Sequence, residues 1–281
     1  MIKNFNVGIL FILFCTLSVL PYENEYVIFT LMYINQELVI IPVVLIRDKE
    51  LINPPEIYFG RLNLECVSFA NKYYNLGQTY YKANSGIPYE VVSVNEEYDS
   101  RNYFIPELCI QPFYIKAYYL GNGLPSYSLI TNSMTLAYQC TSKKNISKKQ
   151  KTLLIKKIQE KILPGSLEIE NAIETEFNKN NKLFLLWVNQ KLENKFRKYL
   201  LFIEKYKNNY NVILVDSLVT MGNSYITFTK KMLLDVIDID FDKNNEFVFY
   251  YVDDKNVYGF QIYKKYDDNM VLCYESKYGC Y

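Results

Sequence analysis

The chain has 281 residues, half of them hydrophobic and 22% charged, a composition that can bury a sizeable core and is not that of a disordered chain. Lys and Arg number 31 against 30 Asp and Glu, and a net charge of +1 provides no global field toward nucleic acid or an anionic membrane. No His is present, which excludes Ser-His-Asp and Cys-His nucleophile systems, His-ligated metal sites and an imidazole pH switch.

Residues 1–4 carry one positive charge, and 7–20 form an almost purely apolar run. That length suits a secretory signal and is short of the ~20 residues of a membrane-spanning helix. Thr16 and Ser18 are spaced like the small residues before a cleavage site. Residues 1–18 are therefore expected to be a cleaved signal peptide, with the mature chain in an oxidising lumen or outside the cell and no transmembrane helix left.

Residues 22–142 read as a β-rich domain, a sandwich or small barrel. The runs 27–34 and 38–46 are rich in β-branched and aromatic residues, with Asn35-Gln36-Glu37 as the turn of a hairpin. Pro42 marks the second strand as an edge, or breaks it. Shorter apolar runs at 56–64, 89–94, 110–120 and 126–138 are separated by turn residues such as Asn53-Pro54-Pro55 and Asn84-Ser85-Gly86. Within 63–78, Leu64, Val67, Ala70 and Tyr74 recur at helical spacing.

Residues 146–207 read as a central helical segment. Ser147 and Gln150 form a capping box for a helix whose inner face is Leu154, Ile155, Ile158 and Ile162. Lys156, Lys157 and Lys161 make its outer face basic. Ser166 can cap a second helix with Glu168 and Glu170 in its first turn. Leu185, Val188, Leu192, Phe196, Tyr199, Ile203 and Tyr206 then recur three and four apart, as along a long amphipathic helix containing the single Trp187. Residues 210–281 read as an α+β part: strands at 212–215 and 225–229, a helical turn at 230–236, and a β-meander over 246–252, 257–263 and 270–274. The fold class expected from the whole is α+β.

Of six cysteines, Cys15 leaves with the leader. Cys273 and Cys280 are close enough in sequence to close a terminal loop, and one further pair is expected among Cys66, Cys109 and Cys140. Asn145-Ile146-Ser147 is a glycosylation sequon. The densest acidic run holds Asp238, Asp240 and Asp242, which project to one side if the segment is extended. These are the candidate metal ligands, although an EF-hand register would need Gly at Lys243 and Glu at Phe249. A charged strand edge that discourages strand addition is the plainer reading.

No phosphate loop, nucleophile elbow or metal-binding cysteine pair occurs, and no cofactor is implied. Tyr258 to Tyr266 interleaves aromatics with Lys264 and Lys265, the nearest approach to a single-strand nucleic-acid platform, and the leader argues against it. The expected function is a secreted, non-enzymatic binding protein whose partner is a protein or glycan of a host or an extracellular coat. The alternatives are a metal-assisted glycan enzyme of the secretory pathway using Asp238, Asp240 and Asp242, and a coat component cross-linked through the odd cysteine.

Overall fold

The computed structural model describes residues 25–34, 36–59, 61–74, 78, 80–83, 92–94, 109–119, 127–137, 143–161, 165–178, 181–192, 195–207, 209–221, 230–253 and 257–280. In chain order its elements are β1 (Glu25–Ile34), β2 (Glu37–Arg47), β3 (Glu50–Ile52), β4 (Glu56–Tyr58), α1 (Leu64–Tyr73), β5 (Tyr81–Lys82), β6 (Val92–Val94), β7 (Ile110–Pro112), β8 (Ile115–Tyr119), β9 (Leu129–Thr131), α2 (Met134–Ala137) and β10 (Lys144–Asn145). They continue as α3 (Lys148–Lys161), β11 (Leu167–Asn178), β12 (Asn181–Leu192), β13 (Lys195–Tyr206), β14 (Asn209–Met221), β15 (Lys230–Ile237), β16 (Glu246–Val252), β17 (Tyr258–Tyr266) and β18 (Asn269–Glu275). The expected signal peptide, the turn at Asn84-Ser85-Gly86 and the strand at 225–229 lie outside the described residues.

Strands dominate, so the α+β expectation is overturned: the protein is mostly β, built from antiparallel sheets with three helices among the described residues. The first sheet runs β5-β9-β1-β2-β8-β6, with β3 beside β2. The second runs β10-β11-β12-β13-β14 and the third β15-β16-β17-β18. β4 and β7 form a separate pair. No helix among the described residues is long and apolar enough to cross a membrane.

The third sheet is the middle layer. Val248, Phe260 and Ile262 point from one of its faces into a core shared with β1, β2 and α1. Phe247, Phe249 and Tyr263 point from the other face onto Leu183, Leu185, Leu200 and Phe202 of the second sheet. The outer face of that second sheet, with Phe184, Leu186, Leu201 and Ile203, is covered by Leu154 and Ile158 of α3. Successive residues of β12, β13 and β16 thus enter different cores, as a period of two requires.

This double burial explains the largest error of the sequence reading. Residues 181–206 are the hairpin β12–β13, and 167–178 is β11. A strand buried on both faces is apolar at nearly every position, and such a run also satisfies a spacing of three and four. Leu185 and Phe202 fall in one core while Val188, Tyr199 and Ile203 fall in another, a division no single helix face allows. The helical turn expected at 230–236 is likewise a strand, β15.

Where helices do form, their faces are informative. α3 follows the expected capping box: Gln150 N–H donates to Ser147 Oγ at 3.3 Å, and Ser147 N–H donates to Gln150 Oε1 at 3.1 Å. α1 begins at Asn63, whose Oδ1 accepts Cys66 N–H at 2.8 Å. Its buried residues are Cys66, Phe69, Ala70 and Tyr73, while Leu64 and Val67, two of the residues at helical spacing, are 84% and 44% exposed.

The 25–47 hairpin forms as expected, yet β2 is interior. Pro42 is accommodated because β8 pairs only with Val39 and Ile40, and β3 only with Leu45 to Arg47. Pro42 falls between those partners, where no ladder N–H is required. Val43 is an extra residue in the β1–β2 register, and its carbonyl accepts the Tyr274 hydroxyl at 2.8 Å.

Candidate functional site

The acidic run is a loop between β15 and β16, so Asp238, Asp240 and Asp242 are not one face of an extended strand. Asp238 is buried and accepts the N–H groups of Asp242 (3.1 Å) and Lys243 (2.9 Å). Phe241 and Lys243 take positive φ values of 60° and 72°, which wrap the loop around that carboxylate. Lys264 comes from β17, the strand beside β16 in the same sheet, its Nζ at 2.5 Å from Asp240, 2.9 Å from Asp242 and 3.0 Å from Glu246. The carboxylates with oxygens near enough to share an ion are Asp238, Asp240 and Glu246, a set from which Asp242 drops out.

The cation at this position is the Lys264 ammonium. Burial alone would lower its pKa, but the three carboxylates outweigh that and raise it. Burial pushes Glu246 up to about 7 against the opposing pull of Ile239 N–H and Lys264. Burial likewise raises Asp238, while the Lys264 hydrogen bond holds Asp242 down despite its burial. The arrangement does structural work: Tyr26 of β1 donates to Ile239 O at 2.8 Å and stacks edge-on with Phe241, fastening the loop to the first sheet. Lys265, the other cation of the supposed nucleic-acid platform, is paired at 2.7 Å with Glu204 of β13.

The cysteines pair otherwise than expected. Cys109 and Cys280 form a disulfide across 171 positions of sequence. Neither the Cys273–Cys280 loop nor a pair within Cys66, Cys109 and Cys140 forms: Cys66 is buried and free, Cys273 is free, and Cys140 lies outside the described residues. The reason is backbone pairing. After β18 the chain runs on extended, Tyr278 bridging Tyr258 and Gly279 bridging Ile110, so Cys280 is carried away from Cys273 and set beside Cys109. The sequon residue Asn145 is exposed on β10.

A cleft of about 540 Å³ opens between the second and third sheets, a volume typical of small-ligand sites. Its floor is one cross-strand row, Asn171 on β11, Trp187 on β12, Leu200 on β13 and Asp216 on β14. Lys231 and Leu233 of β15 form the opposite wall. Three register irregularities converge here, leaving Glu170, Val215 and Leu234 as extra residues in β11, β14 and β15. Bulges of this kind bend strands and re-aim side chains.

The charges of the cleft are matched within it. Lys231 contacts Asp216 at 2.6 Å and donates to the Tyr263 hydroxyl at 2.9 Å. Burial would lower Lys231, but these two partners hold it above the ordinary lysine range. At the mouth, Lys198 lies 3.4 Å from Glu170. The Trp187 indole N–H donates to Lys231 O at 3.0 Å, which fixes the ring. Asn189 lines the cleft, and its Oδ1 is buried with no hydrogen-bond partner. Ser217 also lines the cleft, but Lys231 is held as an ammonium and is no base for it.

Sequence reasoning did not single out this cleft, because its residues come from five strands and share no motif. The available signals were the lone Trp and the pair Lys230-Lys231 at the head of the apolar run 232–234. No protein-family model, curated protein or solved structure matches the chain.

Proposed function

We propose that the protein is a secreted, non-enzymatic binding protein that engages a protein or glycan of a host or an extracellular coat. The observation that carries the binding reading is the cleft between the second and third sheets, whose acids and bases are paired with one another. A paired Lys and an inert Ser supply recognition surface and no activated nucleophile. Secretion is supported by the apolar leader and by the Cys109–Cys280 bridge, since disulfides persist in oxidising compartments. The exposed sequon at Asn145 fits the same route.

The metal-assisted enzyme is the weaker reading, because the ammonium of Lys264 already occupies the position between Asp240, Asp242 and Glu246. Calcium or manganese is expected to leave the melting temperature of the intact protein unchanged; a saturable rise would revive that reading.

The test is the intact mass of the protein recovered from the medium of secreting eukaryotic cells, with and without reduction and deglycosylation, followed by capture of extracellular proteins and glycans. The expected product starts near Val19, carries glycan at Asn145 and gains two protons on reduction of Cys109–Cys280. A full-length chain retained on membranes with both cysteines reduced would overturn the secreted reading.

A further inference from the structure

We infer that the cleft between the second and third sheets binds one neutral pyranose of a glycan, stacked on Trp187 and donating a hydroxyl proton to Asn189 Oδ1. The inference rests on the binding-protein reading and names its site and ligand class.

Charge is the first argument. Both ion pairs of the cleft, Asp216–Lys231 and Glu170–Lys198, join one acid to one base, so the cleft as a whole is neutral. A charged ligand would have to break a pair, and the inner one is costly to break, since the Lys231 side chain is only 8% exposed. A neutral ligand leaves both intact.

Hydrogen bonding is the second. Asn189 Oδ1 is a buried acceptor without a donor, a condition that costs roughly 1–3 kcal/mol. It sits on the same face of β12 as Trp187, two residues on, and so beside the ring. A rotation of the amide toward the cleft, which Asn189 lines, lets a ligand hydroxyl donate to it and removes that cost.

The third argument is shape. The indole is anchored through its N–H to Lys231 O, so the ring that lines the cleft is preorganised. A pyranose has an apolar C–H face to lie on such a ring and hydroxyl donors around its rim. A volume of about 540 Å³ accommodates one sugar ring with its linkage.

Trp187 is the single tryptophan, so its fluorescence reports on the cleft alone. The purified full-length secreted protein is titrated with methyl glycosides of mannose, galactose, glucose and N-acetylglucosamine, and with adenosine as a flat neutral competitor. At least one glycoside is expected to give a saturable change with Kd on the order of 1 mM. Asn189→Ala is expected to weaken it at least about tenfold at an unchanged melting temperature, and Asn189→Asp, which keeps the acceptor, to weaken it less. Calorimetry on Trp187→Ala should show no binding. No saturation by any glycoside, undiminished binding in Asn189→Ala, or saturation by adenosine alone would overturn the inference. If Asn189→Ala unfolds, the Trp187→Ala calorimetry decides, retained sugar binding counting against the inference. Glycan or protein capture that survives in both variants retires the cleft and leaves the binding-protein reading standing. No glycoside saturation together with no capture by the unaltered protein retires both.

Discussion

Lys264 shows how one residue can settle the meaning of an acidic cluster. It is 7% exposed and meets Asp240, Asp242 and Glu246 within 3.0 Å. Removing one partner of a buried ion pair strands the remaining charges. Lys264→Met is therefore expected to destabilise the protein by about 3–5 kcal/mol in urea melts. In that variant, unlike the parent, calcium should restore part of the loss by replacing the ammonium. Glu246 adds a pH dependence. Its folded pKa of about 7 lies above the ordinary value of 4.5, so the folded state holds the proton more tightly than the unfolded chain. Its contribution is favourable below pH 4.5 and is lost as pH rises toward 7. Glu25 works oppositely: Tyr73, Lys72 and Arg47 overcome its burial and hold it down at about 2, so its contribution is present above 4.5 and lost as pH falls toward 2. Glu246→Gln should flatten the decline in stability between pH 4.5 and 7, and an unchanged profile from chemical melts across that range would assign the decline to other groups.

At the scale of elements, the disulfide and the helix caps make separable contributions. The Cys109–Cys280 bridge closes a loop spanning 171 positions, and joins the β4–β7 pair to the strand that continues β18. Cys109→Ser is expected to cost about 2–5 kcal/mol, and reducing agent should then cause no further loss. Cys66 and Cys273 are free, and their substitution by Ser should leave the response to reductant unchanged. At α3, Ser147→Ala removes both the acceptor for Gln150 N–H and the hydroxyl that donates to Gln150 Oε1 at 2.8 Å. A loss of about 1 kcal/mol is expected, confined to stability, because Ser147 lies outside the cleft.

Across the whole molecule, the third sheet belongs to two cores at once, so the layers should unfold together. Phe247 is fully buried and lies 4.6 Å, ring to ring, from Phe202 of the second sheet. Phe247→Ala is expected to cost about 3–5 kcal/mol. Trp187 fluorescence, which reports the interface of the second and third sheets, and far-ultraviolet dichroism, which reports all strands, should give one coincident transition. Two separated transitions would show that the first sheet has a stability of its own. The same layering creates the cleft, since it opens where β15 lies over a bulged part of the second sheet.

Local chemistry was legible in the amino-acid order. The β1–β2 hairpin, the capped helix α3 and the terminal strands β16 to β18 all follow from residues a few positions apart. What depended on distant residues was not. The hairpin β12–β13 resembled a helix because an apolar run does not reveal whether one layer or two will cover it. Cys280 lay seven positions from Cys273 but pairs with Cys109, since strand bridges and not proximity in sequence decide which backbones meet. Asp238, Asp240 and Asp242 were visible as a group, yet the ammonium that meets Asp240 and Asp242 comes from a strand more than twenty residues away. The cleft likewise exists only once five strands are in register. Sequence alone determined the local propensities and the chemistries the protein lacks; the tertiary structure alone decided the layers, the bridge and the site, because burial and pairing are properties of neighbours in space.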